Sequence, residues 1–92
     1  EVTRINQAGG EIREDARGID DPELLKAIKL GVCKINIATD IRLIWTRIHR
    51  EFFRDTPEKF DMVIPGRDYM NALEMFVAEK CKSLKSNNQK II

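Results

Sequence analysis

Gly31-Val32-Cys33-Lys34-Ile35-Asn36-Ile37-Ala38-Thr39-Asp40 is the stretch that decides the fold, because it reads as one strand over 32–38 running straight into a helix N-terminus. Cys33, Ile35 and Ile37 alternate with Lys34, Asn36 and Ala38, so one side of the strand can pack on helices while the other is partly polar. The Asn-Ile-Ala-Thr-Asp end falls where a helix should begin, and such a junction offers backbone amides and a positive dipole end to an anion. A phosphorylated small molecule is the natural guest.

Upstream, Asp20-Asp21-Pro22-Glu23 supplies an acidic N-cap, proline at the first helical position and glutamate in the first turn. Leu24, Leu25 and Ile28 form an apolar face and Gly31 sits at a left-handed C-terminal stop, which predicts a helix over about 22–30. Downstream, Ile41, Ile44, Trp45, Ile48 and Phe52 share a helical face over 40–55, ending near Asp55-Thr56-Pro57. Phe60 to Gly66 reads as an irregular connection. Met70, Leu73, Val77, Cys81 and Leu84 then mark a long amphipathic helix over about 66–84, with a polar tail from Ser86 to Lys90 expected to fray. Residues 1–17 are poorly defined: Gly9 and Gly10 interrupt any helical pattern, leaving a helix end and a loop. Helix, strand, helix is an α/β order, yet a single strand is not a sheet. Either the strand pairs with another copy, or it comes from a larger barrel or doubly wound sheet.

The 92 residues fit at most one small domain, one that buries roughly 60 to 65% of its unfolded surface. With 42% hydrophobic and 34% charged residues the composition is that of an ordinary globular protein, and no apolar run approaches the roughly 20 residues of a membrane span. Sixteen basic residues against fifteen acidic ones, interspersed, leave a net charge of +1 and no basic stripe for nucleic acid. Neither nucleic acid nor membrane is an expected partner. Cys33 and Cys81, 48 positions apart, read as reduced, half-buried residues of a cytoplasmic protein. Glu1 in place of an initiator methionine points to a piece of a longer polypeptide.

Gly18 to Asp40, with Lys34-Ile35-Asn36-Ile37-Ala38-Thr39-Asp40 as its most specific element, closely resembles the C-terminal portion of class II, zinc-dependent ketose-bisphosphate aldolases acting on fructose or tagatose bisphosphate. Asp61 to Met70, ending Pro65-Gly66-Arg67-Asp68-Tyr69-Met70, resembles their closing segment. The resemblance implies that residues 18–92 are the C-terminal piece of a (β/α)₈ TIM barrel, with its last strand, last barrel helix and terminal helices, mostly helical in isolation. Phosphate sites in such barrels form in the loops after strands seven and eight. Carried over by position, Asn36 would contact the triose-phosphate part of the substrate, while Ala38 and Thr39 would hold its phosphate through backbone amides and a hydroxyl. Asp40, the helix cap beside them, and Gly18, which remains from the glycine-rich loop, are counted with them as substrate-binding, and Arg67 would reach the phosphate of a neighbouring subunit in a homo-oligomer. The resemblance also implies Zn²⁺ in the intact enzyme.

The departures are as informative. The family's strand seven ends in a His-Gly-Gly-Ser-Gly stretch, but Glu14-Asp15-Ala16-Arg17 leads into Gly18, so no histidine ligand and no apolar strand are found there. A frameshifted or misassembled segment would explain that divergence of residues 1–17. A catalytic zinc takes about three protein ligands, and His49 is the sole histidine, read as solvent-facing on its helix. No catalytic residue and no metal ligand is assigned to this chain. Lys34 reads as an ion-pair partner inside a barrel, Trp45, Phe52 and Phe53 as packing residues, and Glu11, Glu14 and Asp15 as a solvated face. The reading is therefore part of an aldolase that carries the phosphate-binding strand and helix junction, inactive alone. The alternatives are a small non-catalytic helical interaction module or a phosphate-binding remnant.

Overall fold

The computed structural model describes residues 1–87, so the end of the tail expected to fray lies outside the described residues. Four helices follow one another: α1 (Val2–Gln7), α2 (Asp21–Lys29), α3 (Thr39–Asp55) and α4 (Val63–Ser83). Among the described residues there is no strand, so the expected strand over 32–38 is corrected to irregular chain, and the α/β expectation to a helical one. A strand exists only where a neighbour completes its ladder, and no second extended segment offers one. The alternation survives without the ladder: Ile35 and Ile37 are half-buried, while Lys34, Asn36 and Ala38 are exposed. Cys33 is exposed, against the expected half-buried position.

Local chemistry accounts for each helix end. The Asp20 carboxylate accepts from the Glu23 N–H at 3.2 Å and Pro22 lies in the first turn of α2. At the other end Val32 N–H donates to the Ala27 carbonyl (3.0 Å) and Gly31 N–H to that of Ile28 (3.1 Å), with Gly31 at φ +108°, a Schellman stop that only glycine adopts without strain. Asp61 receives the N–H groups of Val63 (2.6 Å) and Ile64 (3.2 Å), so α4 starts three residues before the expected Gly66. Pro65 fits there because the first-turn amides of a helix have no intrahelical acceptor to lose.

Helix α3 is the spine, with α1 packed on it and α4 packed along it. The core is small: Ile5, Leu24, Leu43, Ile44 and Ile48 are its buried hydrophobic residues. Trp45 and Phe53 are exposed, against their expected packing role, and so are Met70 and Val77 from the expected apolar stripe of α4. The molecule is too flat to cover them. Its extents are 50 × 29 × 14 Å and its radius of gyration is 15.9 Å, against about 12 Å for a compact chain of this length. No helix among the described residues is long and apolar enough to cross a membrane.

The α1 and α3 seam is also electrostatic. Arg4 donates to both Glu51 oxygens (2.8 and 2.6 Å), Arg47 reaches the same carboxylate at 3.4 Å, and Arg47 also pairs with Glu1. The Arg4 hydrogen bond is the main cause that holds the Glu51 carboxyl below its ordinary range. Asn6 closes the turn after α1 by donating to the Ile12 carbonyl and accepting the Ile12 N–H, both at 2.8 Å.

Candidate functional site

A cavity of about 500 Å³ lies where the segment from Val32 to Ala38 runs into α3. Gly18, Asn36, Ala38, Thr39 and Asp40 all line it. Four of these follow from one continuous stretch, whereas Gly18 is delivered by the loop between α1 and α2, 22 positions before Asp40. Arg67 does not line it; it stands exposed on α4.

The first turn of α3 differs from those of α2 and α4. Its N-cap is Ala38, which has no side-chain acceptor, and among the described residues no side chain caps it. Thr39 is the first helical residue and Asp40 the second, which corrects the expectation that Asp40 caps the helix. The Asp40 carboxylate accepts the N–H of Gly18 at 2.9 Å. The approach is close: a Cβ on Gly18 would lie 2.6 Å from an Asp40 oxygen, so a larger residue there obliges that carboxylate to move.

Cations surround this end. Lys34, exposed, and Arg17 line the cavity from the segment and the loop. Lys80 of α4 lines it too, with its ammonium donating to Asp21 at 2.6 Å and standing 5.4 Å from the Phe76 ring centre. Hydrogen bonds, first from Lys80 and then from Ser83, hold the Asp21 carboxyl below its usual range. Sequence reasoning missed Arg17 and Lys80. Lys80 pairs across 59 positions, a distance at which no local pattern speaks, although its place four residues after Phe76 is a signal that it shares that residue's half-buried stripe.

Zinc, which the resemblance implies, finds no donor set here. Among the described residues no three of His, Cys, Asp or Glu gather as a metal site. His49 is half-buried rather than fully solvent-facing, stacked on Trp45 with ring centres 4.1 Å apart and its Nδ1–H donating to the Trp45 carbonyl at 2.7 Å. What the arrangement can offer chemically is anion binding: uncapped first-turn amides, a hydroxyl, an amide side chain and nearby cations around one cavity.

Residues 14–89 match the family described as Fructose-bisphosphate aldolase class-II. A fructose-bisphosphate aldolase of Thermus caldophilus is 43% identical over 82 residues, which is 89% of this chain and 25% of that protein. Proteins of the same description from Stutzerimonas stutzeri (47% over 57 residues, 62% of this chain and 16% of that protein) and Giardia intestinalis (43% over 67 residues, 70% and 20%) are also similar. The chain thus spans a quarter or less of the length of these relatives. No solved structure matches it. The family match begins at residue 14, so it takes in Glu14 to Arg17, where the sequence had shown only departure.

Proposed function

Because the chain belongs to the class II fructose-bisphosphate aldolase family, we propose that it forms the phosphate and triose-binding junction of a ketose-bisphosphate aldolase. The reaction is the reversible cleavage of fructose 1,6-bisphosphate or tagatose 1,6-bisphosphate to dihydroxyacetone phosphate and glyceraldehyde 3-phosphate. The single observation that carries this reading is the gathering of Gly18, Asn36, Ala38 and Thr39 around one cavity at the uncapped start of a 17-residue helix. Phosphate oxygens accept from the first-turn amides and the Thr39 hydroxyl, the small side chain of Ala38 allows close approach, and Asn36 donates to or accepts from the triose hydroxyls. Arg67 is assigned to a phosphate held by a neighbouring subunit of a homo-oligomer, in keeping with its exposure away from the cavity. Because no donor set for zinc is formed by the described residues, no step of the cleavage is assigned to this chain. The chain's part is to bind and orient.

Titration of the isotopically labelled chain with dihydroxyacetone phosphate is expected to move the backbone resonances of Asn36 and Thr39, and silence at saturation would overturn the reading. With fructose 1,6-bisphosphate and added zinc the chain alone is expected to give no turnover; cleavage above background would show that it is more than a binding element.

A non-catalytic interaction module is the second reading, favoured by α4, where Met70 and Val77, two turns apart on one face, are both exposed. Sedimentation separates the two. A discrete homo-oligomer without any response to the triose phosphate supports the module.

A further inference from the structure

We propose that Asp40 serves the anion site as a positioning residue, fixing the Gly18 loop as its second wall, and does not itself hold the phosphate. The inference rests on the binding role proposed above and deepens it. Two observations carry it. The Asp40 carboxylate accepts the Gly18 N–H at 2.9 Å, tying the loop before α2 to the first turn of α3 across 22 positions. Gly18 is shaped to that contact, since a Cβ there would meet the Asp40 carboxylate at 2.6, 3.1 and 3.3 Å.

Charge excludes the more direct role. A carboxylate is an acceptor only, and the dianion of a phosphate monoester such as dihydroxyacetone phosphate offers only acceptors, so the two repel and form no hydrogen bond. Asp40 is nonetheless well placed in the first turn of α3, where the helix dipole favours an anion. With its lone pairs directed at Gly18, the carboxylate holds in place the loop that also carries Arg17 to the cavity. Charge and geometry therefore pull phosphate affinity in opposite directions, and two substitutions separate them.

Asp40→Asn keeps an oxygen for the Gly18 N–H and removes the charge; Asp40→Ala removes both. Dihydroxyacetone phosphate, whose phosphoryl dianion carries no O–H, is titrated into the labelled chain and read at Asn36 and Thr39, with Gly18 amide exchange followed in parallel. If Asp40 positions the loop, the alanine variant binds the triose phosphate roughly three- to ten-fold more weakly, the loss of a hydrogen bond partly offset by removal of the carboxylate's repulsion, and its Gly18 amide exchanges faster. The asparagine variant binds as tightly as the parent or tighter and keeps Gly18 protected. Gly18→Ala, which drives a methyl into the same contact, should weaken binding like Asp40→Ala and serves where the latter fails to fold. Tighter binding by the alanine variant, or equal weakening by both, overturns the inference. A parent chain that ignores dihydroxyacetone phosphate overturns the binding role instead, a result distinct from either pattern.

Discussion

The two ends of α3 are built in opposite ways. Along its middle and C-terminal half, Ile44 and Ile48 are buried, and Glu51 is gripped by Arg4 and Arg47 against α1. At its N-terminus no side chain among the described residues caps the helix, Asn36 and Thr39 are exposed, and one hydrogen bond from Gly18 to Asp40 links the flanking loop. Buried apolar area and satisfied ion pairs hold a fold together; polar groups left facing a cavity are available to a ligand. The difference teaches that the groups holding the fold and those proposed to bind ligand sit at opposite ends of one helix, and it can be broken by substitutions whose effects on the two should not overlap.

The largest effect belongs at the closed end. Ile48 is 7% exposed, and Ile48→Ala is expected to cost about 2 to 5 kcal/mol in urea unfolding, a severe loss in a chain with so few buried residues. A loss well under 1 kcal/mol would mean that the seam is not what holds the helices together. Next comes Asn6→Ala, which strips both hydrogen bonds to Ile12 and should cost about 1 to 2 kcal/mol at an unchanged phosphate response. Glu51→Gln follows, at about 1 kcal/mol or less at neutral pH, since Glu51 is only 17% exposed yet still near solvent.

Glu51 also sets a pH dependence. Its folded carboxyl lies below the ordinary value of 4.5, so its stabilisation is full above that value and is lost as pH falls through the folded one. Asp21, held down chiefly by Lys80, acts in the same direction below its ordinary 3.8. Unfolding midpoints should therefore fall steeply below about pH 4.5 in the parent and less steeply in Glu51→Gln. Equal slopes would show that the Arg4 pair contributes nothing to acid stability.

What was legible in the sequence follows the range of the forces involved. Asp20, Pro22 and Gly31 announce the ends of α2 because caps and positive φ act within a few residues. The strand over 32–38 was misread because pairing is not a local property: the alternation of Ile35 and Ile37 with Lys34 and Asn36 is real, but its partner is absent from the described chain. Trp45, Met70 and Val77 look like core on a helical wheel, and only the flat shape of the molecule shows that nothing covers them. Of the site, the contiguous run from Asn36 to Asp40 could be read directly. The bond that brings Gly18 to Asp40 and the reach of Lys80 to Asp21 could not, because both join segments far apart in sequence.

The smallest effect on stability is the sharpest test, and it compares two asparagines. Asn6 is half-buried and has both its donor and its acceptor engaged by Ile12; Asn36 is exposed beside the cavity, with no side-chain hydrogen bond among the described residues. An exposed polar side chain without partners contributes little to folding, so Asn36→Ala should shift stability by no more than about 0.5 kcal/mol. The same substitution should weaken the response of Thr39 to dihydroxyacetone phosphate, because the amide proposed to meet the triose is lost. Asn6→Ala should give the reverse, a lower unfolding midpoint with ligand affinity intact. If Asn36→Ala instead unfolds the chain as readily as Asn6→Ala does, the segment from Val32 to Ala38 belongs to the scaffold, and the separation between the two ends of α3 is gone.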